Sequence, residues 1–347
     1  MEQDKELEAD WIHPGVQHEW WYANGHLGTE RGRMSFMVSF LSNCLYVMLV
    51  DHKSKICHTR VITDSSLVFD DYGRRLQYGP SSWVLGRQST SGPVHHIEIR
   101  TRGLAFRLDM QPKSRPLKVG RVPLGMLGSV NYYALLDLDC KGIIEIGEEK
   151  LKVSGTAWID RMWGTWDSAG FNRWEWVSMT LNDGMSAVFF SVFHPIFPKN
   201  RLLIMFLWRS SPDKKFKYQQ VEFKHLRTWT SGRTHTSYPL GWQIRSDSEP
   251  KIDLSIEPVV DDQELRPYIW EGACTVTGVL GGRPVHGEAF GEILYGLAQD
   301  RANLLTLALL VYGLLGSTLR KISPYIEQTL RKIVSRPGKR VSKLYWA

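Results

Sequence analysis

Most of the chain between residues 20 and 295 alternates short apolar runs with turn-forming residues, and this pattern predicts strands. The runs are rich in β-branched and aromatic residues, which favour sheets. They cover residues 33–50, 129–138, 151–158, 174–181, 186–193 and 202–208. The predicted turns are Asn24-Gly25, Tyr72-Gly73, Lys141-Gly142, Asn182-Asp183-Gly184 and Gly281-Gly282. Because helical periodicity is absent before residue 298, we expect antiparallel β-sandwiches or barrels.

The C-terminal fifty residues have a different pattern. Residues 302–319 carry no charge, and an apolar stripe at spacings of three and four follows from Leu319 to Ile333. Ser323-Pro324 is typical of a helix start. An 18-residue helix extends ~27 Å, just short of a ~30 Å hydrocarbon core. We therefore predict that residues 298–347 form an apolar and basic amphipathic helical tail, which lies in a membrane interface or packs on the barrel.

Charge is concentrated in the same tail. The chain has a net charge of +7, and residues 298–347 hold nine Lys or Arg against two acids, so the rest is balanced. A neutral body argues against nucleic-acid binding. The basic tail suits an anionic membrane surface, which residues 302–343 would contact. The acidic N-terminus is not a secretory signal, and four dispersed cysteines do not indicate a disulfide framework. We predict a cytoplasmic protein that associates peripherally with the membrane.

The chain is rich in aromatic residues, with 14 Trp, 13 Tyr and 13 Phe, and they cluster with acids. The first cluster reads HEWWYANGHL over residues 18–27, and the second reads GTAWIDRMWG over residues 155–164. A third, YIWEGA at residues 268–273, precedes GEAFGEILYG at residues 287–296. Glycine-rich phosphate loops and metal-ligand spacings are missing, so no cofactor and no metal are predicted.

In this order the motifs resemble the carotenoid 1,2-hydratases and their hydroxyneurosporene synthase-like, AttH-type relatives. The resemblance covers roughly residues 11–296. It implies an all-β fold of two tandem lipocalin-like antiparallel barrels with a cavity for an apolar polyene. The implied domains are residues 11–167 and 168–297, preceded by an extension at residues 1–10 and followed by the tail at residues 298–347. Known relatives hydrate carotenoids or cyclise polyenes, so the fold alone leaves the reaction open.

An alkene has no polar handle, so opening it requires a strong proton donor in a dry pocket. Burial raises the pKa of a carboxyl group and keeps it protonated, and aromatic faces shield the resulting carbocation. Asp160 is the first candidate for this acid, Glu19 the second and Glu175 the third. The candidate substrate-binding residues are Trp21, Tyr133, Trp158, Trp163, Trp176 and Arg161.

Strand alternation places Trp158, Asp160 and Met162 on one face and Arg161 and Trp163 on the other. It does not identify which face lines a cavity. Carotenoid hydratases typically carry His after the central Asp, whereas this chain carries Arg161. If the guanidinium paired with Asp160, it would hold that carboxyl ionised and unsuited to donate a proton.

The predicted function is that of a cofactor-independent enzyme, a hydratase or a polyene or isoprenoid cyclase, that protonates a C=C bond of a lipophilic substrate. One alternative is a pericyclase, which works by shape. Another is a lipid or carotenoid carrier without catalysis. The sequence does not determine the oligomeric state.

Overall fold

A computed structural model describes residues 12–13, 15–70, 74–89, 92–123, 128–166, 173–193, 201–210 and 213–295. All regular elements within these ranges are β-strands. The predicted extension at residues 1–10 and the predicted helical tail at residues 298–347 lie outside them. The described part of the chain contains no helix long and apolar enough to cross a membrane.

The first half of the chain forms one twelve-stranded antiparallel sheet. Its strands are β1 (His18–Thr29), β2 (Gly32–Leu41), β3 (Cys44–Asp51), β4 (Ile56–Ile62), β5 (Leu67–Phe69), β6 (Arg75–Tyr78), β7 (Ser81–Ser89), β8 (Gly92–Thr101), β9 (Leu104–Pro112), β10 (Leu117–Pro123), β11 (Gly128–Ile146) and β12 (Glu149–Trp166). The order is β4-β3-β2-β1-β12-β11-β9-β8-β7-β6-β5, and β10 pairs with β11. The last strand, β12, therefore returns to pair with the first.

The second half repeats this arrangement in a ten-stranded antiparallel sheet. Its strands are β13 (Arg173–Leu181), β14 (Ser186–Phe193), β15 (Arg201–Ser210), β16 (Asp213–Tyr218), β17 (Glu222–Thr230), β18 (Ser237–Ser246), β19 (Ile252–Pro258), β20 (Glu264–Arg266), β21 (Ile269–Leu280) and β22 (Arg283–Tyr295). The order is β16-β15-β14-β13-β22-β21-β19-β18-β17, and β20 pairs with β21. The two sheets thus span residues 18–166 and 173–295. The exact division into domains stays a prediction.

Each sheet curls around a core of its own, and a third core lies where the sheets meet. The first sheet encloses one apolar cluster, and the second encloses another. The third, here called the inter-sheet core, takes side chains from both sheets, including Tyr22, Tyr132, Trp158, Trp176 and Phe190. Because strand side chains alternate between faces, the central strands contribute to two cores at once, which explains why β3 is buried along its whole length.

Two of the predicted turns are wrong, since Asn24-Gly25 lies inside β1 and Lys141-Gly142 lies inside β11. These glycines allow the backbone of a neighbouring strand to approach closely, and they do not reverse the direction of the chain. A Cβ on Gly25 would lie 2.5 Å from the Thr156 carbonyl oxygen, and one on Gly142 would lie 1.9 Å from that of Arg107. The turns at residues 182–184 and 281–282 do join strands. Tyr72-Gly73 lies outside the described residues.

Candidate active site

Two rows of side chains face each other across the inter-sheet core. In antiparallel sheets, directly opposed residues project from the same face, and the strand registers define each row. The row on the first sheet comprises Ala134, Asp160, Tyr22 and Ser39. The row on the second sheet comprises Phe190, Trp176, Glu292 and Glu271. Three carboxyl groups therefore project into the region between the sheets.

Asp160 is held in an apolar and aromatic environment. The residue is 4% exposed. The Tyr132 hydroxyl donates to its Oδ2 at 3.2 Å, and the Trp158 indole nitrogen donates to the same oxygen at 3.4 Å. Burial raises the pKa of Asp160 well above its ordinary value, and the nearby Glu292 raises it further, whereas the two hydrogen bonds and Arg161 lower it only in part. Burial therefore favours the neutral, protonated form of Asp160, and the proton of that form belongs on Oδ1 because both donors occupy Oδ2.

Tyr132 connects the two sheets at this acid. Its hydroxyl accepts a hydrogen bond from the Trp176 indole of the second sheet at 3.3 Å while it donates to Asp160. The Trp158 and Trp176 rings meet edge to face at 6.1 Å between centroids. Trp176 also meets Tyr22 at 5.5 Å. The aromatic cluster thus encloses the carboxyl group from both sides and limits the access of water to it.

Two further acids belong to the same cluster. The Tyr22 hydroxyl donates to Glu271 Oε2 at 3.1 Å. Burial and the adjacent Glu292 raise the pKa of Glu271 well above its ordinary value. Glu292 is partly exposed, and burial raises its pKa to about 7 although the Trp174 indole counteracts this through a hydrogen bond. The cluster therefore contains an acid whose protonated form is favoured and a group whose pKa is about 7.

A small apolar cavity of about 20 Å³, part of it open to solvent, lies between the sheets beside the aromatic partners of the acids. Its walls include Tyr132, Met162 and Val130 of the first sheet, and Trp174, Phe190 and Phe206 of the second. Tyr132 borders the cavity and binds Asp160, whereas Trp174 borders it and binds Glu292. Each acid is therefore one side chain away from an apolar space between the sheets.

The structure separates the sequence-predicted site residues into two groups. Asp160, Trp158 and Trp176 lie together in the inter-sheet core. The others lie in or beside the core inside the first sheet, namely Glu19, Trp21, Tyr133, Arg161 and Trp163. The two groups occupy opposite faces of β12, as the strand alternation predicted. Their catalytic and substrate-binding roles stay predictions.

Arg161 pairs with Glu19 rather than with Asp160. Its guanidinium donates to Glu19 Oε1 at 2.8 Å and to the Trp20 carbonyl at 2.8 Å, and it lies 3.7 Å from the Trp21 ring centroid. His13 binds the same carboxylate and stacks on Trp163 at 4.1 Å. Burial raises the pKa of Glu19, but His13 and Arg161 outweigh it, and the net pKa is lowered. Glu19 is therefore an ionised partner, unsuited to donate protons at pH 7.

Glu175, the third acid candidate, lies inside the second sheet. His225 and the Trp242 indole bind its Oε2 at 2.9 and 3.0 Å, and Arg173 lies 2.5 Å from Oε1. These partners outweigh burial and lower the pKa of Glu175. The expectation that it is the third proton donor does not fit this environment, because the carboxylate is ionised and fully partnered.

Sequence reasoning missed Tyr22, Tyr132, Trp174, Glu271 and Glu292 as site residues. Tyr22, Glu271 and Glu292 lie within motifs that the sequence displays, whereas Tyr132 and Trp174 lie outside them. The available signal was the alternation of β21 and β22, which places Glu271 and Glu292 on one face. Nothing in the sequence indicated that this face meets Asp160. In the described part of the chain, no group of three His, Cys, Asp or Glu could hold a metal ion.

The fold consists of two tandem curled antiparallel sheets, and the site places a buried acid between them. These two features together define the class of protein. A family model described as AttH-like matches residues 71–296, more than half of the chain. The chain therefore belongs to the AttH-like family, which confirms the predicted relationship. A comparison with curated proteins gives no match.

Solved structures share the fold along most of the chain. The crystal structure of a protein assigned as AttH from Nitrosomonas europaea is similar with a TM-score of 0.68 and 24% identity, over 82% of this chain and 94% of that one. Kievitone hydratase from Nectria haematococca is similar with a TM-score of 0.65 and 17% identity, over 82% and 91%. CghA in complex with Sch210972 is similar with a TM-score of 0.53 and 11% identity, over 82% of this chain and 93% of that one. The predicted all-β, lipocalin-like architecture is confirmed.

Proposed function

We propose that the protein is a cofactor-independent enzyme that protonates a C=C bond of a lipophilic polyene or isoprenoid, leading to hydration or cyclisation. The observation that carries the proposal is Asp160, a buried acid whose hydrogen-bond partner Tyr132 borders an apolar cavity. A dry carboxylic acid beside an apolar cavity is the arrangement that alkene protonation requires. That a hydratase has the same fold supports the class of reaction.

In the proposed step, Asp160 transfers its proton to one alkene carbon, and the other carbon becomes a carbocation. The carboxylate that remains is stabilised by hydrogen bonds from Tyr132 and Trp158. The faces of Trp174 and Trp176 shield the positive charge without attacking it. Water or a second alkene of the substrate then captures the cation.

The test is deuterium incorporation from the solvent. We incubate the purified protein with linear terpenoids of graded length in deuterated water and analyse the products by mass spectrometry and NMR. The expected products are alcohols or rings that carry deuterium on carbon. Products without deuterium would exclude protonation as the step. Recovery of a bound lipid that the protein leaves unchanged, with no turnover of any terpenoid, would favour the carrier.

The cavity also favours a second candidate, a pericyclase for a polyene. The cavity walls carry no charged side chain among the described residues. A shaped apolar surface suffices for such a reaction, since holding the reacting carbons together lowers the barrier. This candidate differs from the first because its products carry no solvent deuterium and because its turnover does not depend on Asp160.

We further propose that the basic C-terminal tail brings the protein to the membrane that holds its substrate. Replacing Lys321, Arg331 and Lys332 together with Gln is expected to reduce binding to anionic phospholipid vesicles, because each removed charge contributes about 1 kcal/mol near such a surface. Co-sedimentation measures the effect. Neutral vesicles are the control. Equal binding of the wild type and the variant to anionic vesicles would refute the proposal.

A further inference from the structure

Hydration needs a base as well as a proton donor. Asp160 adds a proton to one carbon, and the water that attacks the other carbon must lose a proton to become a hydroxyl group. A base close to the cavity therefore has to accept this proton. The Asp160 carboxylate is one acceptor, through the Oδ1 atom that its two donors leave free, and a base on the opposite sheet is a second.

Glu292 is placed to accept the proton. It lies directly opposite Trp176 on β13 and directly opposite Glu271 on β21. The Trp174 indole binds it, and Trp174 borders the cavity. Unlike Glu271, Glu292 is partly exposed, so it exchanges protons with solvent. Glu292 is therefore linked to the cavity wall through Trp174, on the sheet opposite Asp160.

An unpartnered polar group lies beside the same cluster. Asn24 is 3% exposed, and its Nδ2 has no hydrogen-bond partner among the described residues. It follows Tyr22 by two positions on β1, so both project into the inter-sheet core, and Asn24 lies opposite Trp158. Its amide lowers the pKa of the Tyr22 hydroxyl as a weak hydrogen-bond donor, which uses at most one of the two N–H groups of Nδ2. Since buried amides are nearly always hydrogen-bonded, this donor indicates a bound oxygen atom, which a water molecule supplies.

We infer that Glu292, supported by Glu271, is the base of the proposed reaction, and that Asn24 binds the water that captures the carbocation. This inference rests on the proposed function and makes the reaction a hydration. The water oxygen forms the new C–O bond, and the proton released from it goes to Glu292. Protonated Glu292 then returns a proton to Asp160 within the cluster or by exchange with solvent. One water molecule is added to one C=C bond, and both acids regain their initial state.

Several titratable groups surround Glu292. Asp160 and Tyr22 face it from the first sheet, and Glu271 faces it from β21. Glu271 raises the pKa of Tyr46, and the Arg266 guanidinium lies 5.6 Å from the Tyr46 ring centroid. Burial raises the pKa of Asp160 and of Glu271 well above their ordinary values and that of Glu292 to about 7, so Glu292 is the group in this cluster that we assign to a titration near neutral pH.

The first experiment compares the wild type with Glu292→Gln on linear terpenoids in deuterated water. The expected result is a loss of about 100-fold or more in the rate of alcohol formation. Deuterium should still enter the recovered alkene, because Asp160 protonates it and the cation then loses a proton to Asp160. Glu222→Gln, on the exposed part of β17, is the matched control and should form alcohol at the wild-type rate. Unchanged alcohol formation in Glu292→Gln would overturn the inference while leaving protonation by Asp160 intact.

The second experiment does not depend on turnover. Infrared spectra of the wild type, recorded from about pH 5 to pH 9 on either side of the Glu292 pKa of about 7, should show one protonated-carboxyl band that disappears as the pH rises. Glu292→Gln should remove this change, and Glu222→Gln should retain it. A band that titrates identically in Glu292→Gln, or a wild type in which no carboxyl titrates in this range, would overturn the assignment of Glu292. If the wild type incorporates no deuterium at all, the proposed function fails, whichever infrared result is obtained.

Discussion

Replacing Asp160 with Asn is expected to reduce kcat by about 10²- to 10⁴-fold, the usual contribution of a positioned general acid. Asn has nearly the shape of Asp, and its carbonyl oxygen accepts hydrogen bonds from Tyr132 and Trp158 as Oδ2 does. The amide nevertheless has no acidic proton to transfer to an alkene. The kinetics of product formation and the deuterium content of the product both measure the loss.

The same substitution should not destabilise the fold at neutral pH. The pKa of Asp160 is raised in the folded protein, so the folded state binds a proton that the unfolded state releases. The contribution of protonated Asp160 to the free energy of unfolding is therefore fully present at low pH. It decreases as the pH rises above the pKa that Asp160 has in the unfolded chain. Asn removes this dependence, and Asp160→Asn should become relatively more stable than the wild type as the pH increases. Denaturant titrations at two pH values measure the difference.

A matched control is Asp139→Asn, because the Asp139 side chain is 72% exposed on β11 of the same sheet. It should retain full activity. If Asp160→Asn also retained full activity while Trp176→Ala lost it, the acid mechanism would be wrong and shape-directed cyclisation would be supported.

Replacing Arg161 with Met is expected to lower the free energy of unfolding by about 3–5 kcal/mol, the range for breaking a buried ion pair from one side. The Arg161 side chain is fully buried, and Glu19 is 10% exposed. The variant leaves the Glu19 carboxylate with His13 alone and removes the cation from the face of Trp21. Chemical denaturation measures the loss.

The double variant Arg161→Met with Glu19→Gln should recover part of this stability, because no charge then remains buried without a partner. The pKa of Glu19 is lowered in the wild type, so its contribution is present at neutral pH and is lost as the pH falls through that pKa. The deficit of Arg161→Met should therefore shrink towards acidic pH. A deficit of equal size at all pH values would contradict an ion-pair origin. Arg245→Met, whose side chain is 46% exposed, is the control and should change stability little.

The sequence predicts the fold well because strand signals are local. Alternation and β-branched content identify the strands, and the alternation through Trp158, Asp160 and Arg161 assigns each residue to the correct relative face. The errors at Asn24-Gly25 and Lys141-Gly142 have a physical cause. Glycine permits a turn, but it also permits a neighbouring carbonyl to approach closely, and a single sequence does not distinguish the two uses.

The site is harder to predict because its members come from strands far apart in the sequence. Tyr22 is hydrogen-bonded to Glu271, which lies 249 positions away in the sequence, and Trp176 is hydrogen-bonded to Tyr132, 44 positions away. Which face of β12 carries the acid chemistry depends on how the two sheets pack, and no local pattern encodes that. Arg161 shows the same limit, since its partner Glu19 lies on a neighbouring strand rather than beside it in the sequence.

The packing of one sheet against the other also has a consequence for protein engineering. The proposed proton donor belongs to residues 18–166 and the inferred base to residues 173–295, so under this proposal neither half of the chain holds both groups. A chimera that joins the first half of one family member to the second half of another could keep both apolar interiors and still be inactive. Exchanging halves, followed by selection for product, would reveal which contacts align the two acids.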